Sequence, residues 1–392
     1  MKKLRKPEIK TNDSFTWLLR NWELTGIKLL HPYKFLNLLH IVFSWILIVL
    51  SPISMGTVIF NTMGDTSMTV TLTSLQASLN ALLLPFRTLV IAINFKRLRS
   101  VEQIFENLDQ FYVREEERLE IKNCEKTCRS LFFTCSILYN IYGVSTWLVA
   151  LFAHNHDIFW LIFIDWIPYQ PLRHCLHFLS EVVMIHFLLQ ASVSSDTFPA
   201  IYIRALRTHI KLLTGRVSRL GTNSVFNDEQ NFRELVACIS SHQQILQVAD
   251  IVGSIFSLTI FLQLAFGAAI LCVCMLNIFI FADTMHKVTT IVYYLVVLMQ
   301  TVPSCYQASM LEADCAKLPD AIFHCNWMDM DKRFRKLIIY FLHHTQTEIT
   351  FTGVKLFRIN LSTNLSIAKF SFTLYTFMNE MGFGKNVKER LE

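Results

Sequence analysis

Five residues invite a metal-ion reading: His154, His156, Asp157, His174 and His177. The last two stand three apart, on one face of a helix. Imidazoles with a carboxylate suit zinc or copper. Three of the five, however, fall in a loop with no fixed geometry, and solvated outer histidines account for the set, so no metal site is expected. Glu181 lies inside an apolar run, where an acid is a functional candidate by default, but it has no paired base. The pair His343-His344 lacks the companion histidine boxes of a membrane di-iron oxidase. There is no Gly-rich phosphate loop and no Gly-x-Ser-x-Gly elbow. The sequence points away from an enzyme and implies no cofactor.

A second set of residues suits binding rather than catalysis. Tyr139, Asn140, Tyr142, Gly143, Val144, Ser145, Thr146 and Trp147 form one block. His177, Ser180, Glu181 and Met184 form another, and Thr289, Thr290, Tyr293 and Tyr294 a third. Aromatic and thioether groups with a few hydroxyls fit a small, volatile, mostly apolar ligand. Helix–helix packing alone also produces aromatic stripes, and both readings stand. The stretch from His154 to Pro171 is so apolar that it is expected to fold over the pocket as a lid rather than stand in water.

The elements that must position these groups are long and apolar. The chain has 392 residues, 53% hydrophobic and 17% charged, against roughly 25% charged in a soluble domain. A membrane span needs about 20 mostly apolar residues. Seven such stretches are expected: 35–60, 69–95, 130–152, 172–201, 251–281, 288–310 and 359–383. The fold class is therefore all-α, a polytopic membrane protein with seven transmembrane helices. Helical apolar spacing runs on past spans two to five, as at Leu98, Val101, Ile104, Phe105 and Leu108. Four long helices should thus continue beneath the membrane.

Lys and Arg are distributed unequally. Of 36, 29 fall before the first span or in loops on the same side as it, five fall on the other side, and Arg87 and Lys369 lie within spans. The positive-inside rule places the N-terminus in the cytoplasm and the short tail outside. A G-protein-coupled receptor has the opposite orientation, and no Asp-Arg-Tyr or Asn-Pro-x-x-Tyr is found, so that class is rejected. Nucleic acid is not implied, since the basic patches follow the topology. No cleavable signal peptide is expected. Of ten cysteines only Cys175 is expected near the outer face, so no external disulfide is available. Arg87 either snorkels inward or pairs with Asp250 or Asp196. Residues 1–34 either lie on anionic lipid at the inner leaflet or pack under the bundle.

The last span keeps Ser366, Lys369, Ser371, Thr373, Tyr375, Thr376, Asn379 and Glu380. A helix that polar cannot face lipid all round, and a pore-lining role is expected. Ser371, Tyr375, Met378 and Asn379 share one face at i, i+4, i+7 and i+8.

From Leu318 to Lys385 the sequence resembles the insect odorant receptor family. The resemblance rests on Leu318-Pro319-Asp320-Ala321, Trp327, the basic helix 332–341, Thr345-Gln346, Gly353, Phe357, Asn360-Leu361-Ser362, Ala368-Lys369, Ser371-Phe372 and Met381-Gly382-Phe383-Gly384. It departs at Phe323, Glu348, Asn364 and Glu380, where Tyr, Pro, Phe and Gly are usual. The resemblance implies a ligand-gated, non-selective cation channel, with odour-tuning subunits assembled as tetramers with a shared coreceptor, Orco. The coreceptor carries a long insertion between spans four and five. The moderate 204–250 loop makes this chain resemble the tuning subunit. On this reading residues 1–310 form the bundle and pocket, 311–358 an intersubunit anchor centred on 311–346, and 359–392 the pore helix and tail. Asn140, Gly143 and Trp147 are expected to face the odorant, and Tyr375 to sit at the gate. Plasma membrane, in a sensory dendrite, is the implied location. A gustatory receptor of the same superfamily predicts Thr-Tyr…Gln-Phe on the last helix, where Ser371-Phe372 and Asn379-Glu380 stand. A secondary transporter predicts repeated halves, and none is seen.

Overall fold

A computed structural model describes residues 10–28, 33–62, 68–153, 164, 166–222, 227–347 and 349–382. The chain opens with a 3₁₀ turn (Thr11–Phe15) and α1 (Thr16–Leu24). Long helices follow: α2 (Lys34–Thr62), α3 (Met68–Asp109), α4 (Glu115–Ala153), α5 (Gln170–Val217), α6 (Asp228–Leu276) and α7 (Thr284–Cys315). The chain ends with α8 (Lys317–His324), α9 (Lys332–Thr345), a hairpin of β1 (Thr352–Gly353) and β2 (Phe357–Arg358), and α10 (Leu361–Glu380). Among the described residues, six helices are long and apolar enough to cross a membrane. At 20 residues α10 reaches spanning length, but it is more polar than the other six.

Helix α5 is the axis of the bundle. From Val193 to Ile210 its residues are buried all round, the mark of a helix enclosed by others rather than one with a single core face. Helices α3 to α6 run past the expected spans by 14 to 23 residues, roughly 20 to 35 Å at 1.5 Å per residue. The 204–250 stretch is helical up to Val217 and again from Asp228, as the helical extensions of spans four and five predict; residues 223–226 lie outside the described residues. The expected boundary at 310/311 falls inside α7, which continues unbroken to Cys315.

The N-terminal segment packs under the bundle. Phe15, Leu18 and Trp22 have no exposed surface, and Phe15 stacks on Tyr202 with ring centroids 4.4 Å apart. The Thr11 hydroxyl donates to Asp109 at 2.7 Å and lies 3.1 Å from His209 Nε2. Of the two readings of residues 1–34, the described part thus takes the buried one; residues 1–9 and 29–32 lie outside the described residues. The turn joining α5 to α6 is pinned by Asn326, whose backbone N–H donates to Leu220 and whose amide donates to the Gly221 carbonyl at 3.1 Å. A side chain at Gly221 would strike the Asn326 carbonyl at 2.3 Å, and its φ of +73° favours glycine.

The hairpin before α10 is tight and strained. It pairs Thr352 with Arg358 and Gly353 with Phe357. The Leu356 N–H closes a turn on the Gly353 carbonyl at 2.9 Å, and the two residues inside that turn, Val354 and Lys355, both have positive φ (50° and 59°). That turn ordinarily takes Asn-Gly, and a β-branched residue there is an outlier. Ser257 of α6 braces it: its hydroxyl donates to Thr352 at 2.6 Å and accepts from the Val354 N–H at 3.0 Å. Asp331 caps α9, and the Phe334 N–H with the Arg333 guanidinium holds its carboxyl below the usual carboxylate range.

Candidate functional site: a cavity above a buried ion pair

Small side chains on α3 leave room where four other helices meet. Ala77, Asn80, Ala81 and Leu84 stand at i, i+3, i+4 and i+7, one helical face. Opposite them lie Tyr139 and Tyr142 of α4, Ile185, Leu188, Leu189 and Ser192 of α5, and Tyr293 and Val296 of α7, with Met55 of α2 closing one side. The cavity holds about 60 Å³, room for roughly four to six waters by volume. Its walls are apolar apart from Asn80, Ser192 and three phenols. Such a shape takes a compact, mostly apolar molecule oriented by one or two hydrogen bonds.

A polar layer lies on each side of the cavity. On the side toward the start of α3, Tyr293 donates to the Gln76 carbonyl at 3.0 Å. Asn277, in a π-helical turn that ends α6 (Asn277–Phe281), donates to Thr73 at 3.2 Å and Thr290 at 3.3 Å. On the opposite side the groups carry charge. Arg87 forms an ion pair with Asp196, and both side chains are at least 97% buried. Tyr139 also donates to Asp196. Gln263 of α6 donates to Asp196 at 3.1 Å and to the Gln300 carbonyl of α7 at 3.1 Å. The register explains the placement. Arg87, Asp196 and Gln300 each lie three or four residues beyond a wall residue, Leu84, Ser192 and Val296, on helices running in the same direction. Arg87 therefore does not snorkel: the pairing with Asp196 holds, and Asp250 lies elsewhere, at a surface near His344 and Lys355.

Of the expected ligand residues, Tyr139 and Tyr293 line the cavity. Met184 is buried beside it, in one cluster with Ile185, Leu188, Ala77 and Ala81. The others sit elsewhere. Asn140 turns toward α5, 3.2 Å from His186 Nδ1. Gly143 is where α4 and α5 approach closely: an added Cβ would meet Leu189 at 2.8 Å. Val144 is exposed. Trp147 packs edge-on against Phe178, centroids 6.4 Å apart, with no partner for its buried indole N–H among the described residues. His177 and Glu181 are buried one turn apart on α5, and the Ser180 hydroxyl donates back to the His177 carbonyl at 2.8 Å. Tyr294 is half-buried against the main core. Of the expected lid, residues 154–163 and 165, including His154, His156 and Asp157, lie outside the described residues; Ile164 is buried and Trp166 is exposed.

On α10, Ser371 has no exposed surface and donates to the Ala268 carbonyl of α6 at 3.1 Å. Met378 lies against Cys272 of α6, and Tyr375 stacks obliquely on Phe279 at 5.4 Å. Three of the four expected pore residues thus turn toward their own bundle, and Asn379 alone is exposed. The outward face carries a different set. Ser362, Ser366, Lys369, Thr373, Thr376 and Glu380 recur at helical spacing, and all but half-buried Thr376 are exposed. The sequence contained this stripe; which of two polar faces looks outward is decided by where α6 lies.

The sequence model described as 7tm Odorant receptor matches residues 67–372. The chain belongs to the odorant receptor family. This receptor is 30% identical to Odorant receptor 43b of Drosophila melanogaster over 98% of this chain and 95% of the relative. It is likewise 30% identical to Odorant receptor 42a of the same fly, over 98% and 94%. Its fold is similar to the insect olfactory receptor OR5 of Machilis hrabei, with a TM-score of 0.72 and 17% identity over 93% of this chain and 97% of that one. The same receptor in complex with eugenol gives a TM-score of 0.72. The chain is thus a membrane-spanning receptor rather than an enzyme.

Proposed function

We propose that this chain is the odour-tuning subunit of a ligand-gated, non-selective cation channel, opened by a small volatile molecule held in the cavity between α3, α4, α5 and α7. The observation that carries the reading is the cavity itself: apolar walls, a few inward polar groups, and a place in the bundle beside the charged layer that reaches α6 and α7. Eugenol, bound by the structural neighbour, belongs to the class of ligand that such walls accept. The chain pairs with the coreceptor Orco in a heterotetramer at the plasma membrane, its basic end in the cytoplasm. Residues 311–358 supply the contact between subunits, and α10 borders the ion path.

The outward stripe Ser362, Ser366, Lys369, Thr373, Thr376 and Glu380 is the face of α10 that meets water. Lipid would penalise such a row, and a lone protomer has nothing to cover it. A ligand biases opening only through its differential affinity for the closed and open states.

Recording from cells that express the chain with and without Orco, against a panel of eugenol and short-chain alcohols and esters, tests this reading. Odorant-evoked current in the pair but not in either chain alone is expected. Uptake of a labelled odorant without current would point to a carrier instead.

A further inference from the structure

The charged layer under the cavity does not end at the bundle wall. Tyr139 is part of the cavity lining, and its hydroxyl donates to Asp196. Asp196 accepts from Gln263, whose amide also donates to the Gln300 carbonyl. The next residue on α7, Thr301, accepts from Asn364 of α10 at 2.7 Å. Asn364 is 7% exposed and also lies 3.8 Å from the Cys305 sulfur. Two hydrogen-bonded runs, joined through the backbone between Gln300 and Thr301, therefore connect the cavity to the first turns of the last helix, crossing α4, α5, α6 and α7.

Two features mark the α10 end as a place able to take a second arrangement. The buried Gln300 amide nitrogen makes no well-aligned hydrogen bond among the described residues and has only a loose contact with the Tyr139 phenol, so the present packing leaves this donor weakly satisfied. Around it lies a void of about 10 Å³, lined by Gln263, Gly267, Gln300, Thr301, Asn364 and Ala368. A close-packed interface is stiff; this one has slack and a weakly satisfied group together. Position 364 is also where the family resemblance leads one to expect Phe, which would leave Thr301 without this partner.

We propose that Asp196, Gln263 and Asn364 are positioning residues that couple occupancy of the cavity to the placement of α10. The row acts through the hydrogen bonds of Asp196. A ligand that moves the Tyr139 ring changes what Asp196 accepts, Gln263 follows, and the α7–α10 contact at Thr301 and Asn364 is held or released. The proposal rests on the channel reading for its meaning, but its test does not.

The test is a double-mutant cycle read without ligand and without current. Cys175 is the exposed cysteine among the described residues, so it is first replaced by Ser. Spin labels are then attached at Met285→Cys on α7 and Phe377→Cys on α10, both exposed, in the purified full chain. Electron–electron distance distributions are compared for Tyr139→Phe, Asn364→Leu and the double variant. Each single change is expected to shift the ratio of the two distance populations at least fivefold, about 1 kcal/mol, and the double to shift it no further than the larger single. Product-like, additive shifts, or distributions unmoved by the singles, overturn the coupling. Should Tyr139→Phe fail to fold, Gln263→Met takes its place in the cycle with the same expectations. Odorant-evoked current with an additive cycle would sink this inference alone, whereas a coupled cycle without current would sink the channel reading.

Discussion

At the scale of single residues, the Arg87–Asp196 pair is the most consequential feature. Two opposite charges deep in a bundle are tolerable only together, because each alone would be a desolvated charge. Replacing Arg87 by Met leaves the Asp196 carboxylate with hydrogen bonds but no counter-charge. We expect a loss of roughly 3 to 5 kcal/mol for that single change, and a smaller loss for Arg87→Met combined with Asp196→Leu. Thermal unfolding of detergent-solubilised protein measures both; a double variant less stable than either single would refute the pairing. The sequence exposed both charges and offered Asp196 as one of two partners, but no spacing rule connects span two to span four. Tyr139 and Tyr293 stood out in the sequence because phenols are scarce in apolar runs, and both line the cavity. Ala77 and Ala81 did not stand out, since an alanine makes space only once its neighbours are known. Gly143 and Trp147 carried a resemblance to the family pattern; in this structure one lets α4 and α5 approach closely and the other packs on Phe178.

Among the elements, the seven long helices and their inward extensions could be read from hydropathy and 3.6-residue spacing, and these set the architecture. Their rotations could not. Ser371 and Thr373 are two residues apart on a helix of nearly uniform polarity, so the sequence permits either to face outward, and the position of α6 decides for Thr373. The hairpin before α10 illustrates the same limit from the other side. Val354-Lys355 is a poor sequence for a turn needing two positive φ values, yet the brace from Ser257 holds it there. Strain of this kind costs about 1 to 3 kcal/mol per residue. Replacing Val354 by Asn and Lys355 by Gly should therefore stabilise the protein, by a comparable amount at most. A raised unfolding midpoint checks this; a lowered one would mean that the two side chains make contacts worth more than the strain they bear.

For the whole molecule, the bundle has two halves with different physics. One half is apolar and contains the cavity, with a polar layer at each end of it. The other half is a soluble-like bundle tied by ion pairs: Arg207 to Asp314 at 2.5 Å, Arg216 to Glu234 and Arg219 to Glu117. The N-terminal segment adds Thr11 and Phe15 to the same half. That division matches the uneven spread of Lys and Arg along the chain, on which the expected orientation rests. The cavity was the hardest to read, because it exists only where α2, α3, α4, α5 and α7 meet.

The measurement that bears most directly on the account is a dose–response curve for Ala81→Phe, recorded in cells that also express Orco. A phenyl ring at Ala81 occupies much of the space between Tyr139, Leu188 and Val296. The half-maximal odorant concentration should rise at least tenfold, a loss of about 1.4 kcal/mol in ligand affinity, while surface biotinylation finds as much protein as in wild type. A curve that superimposes on the wild-type response would mean that the odorant binds somewhere else.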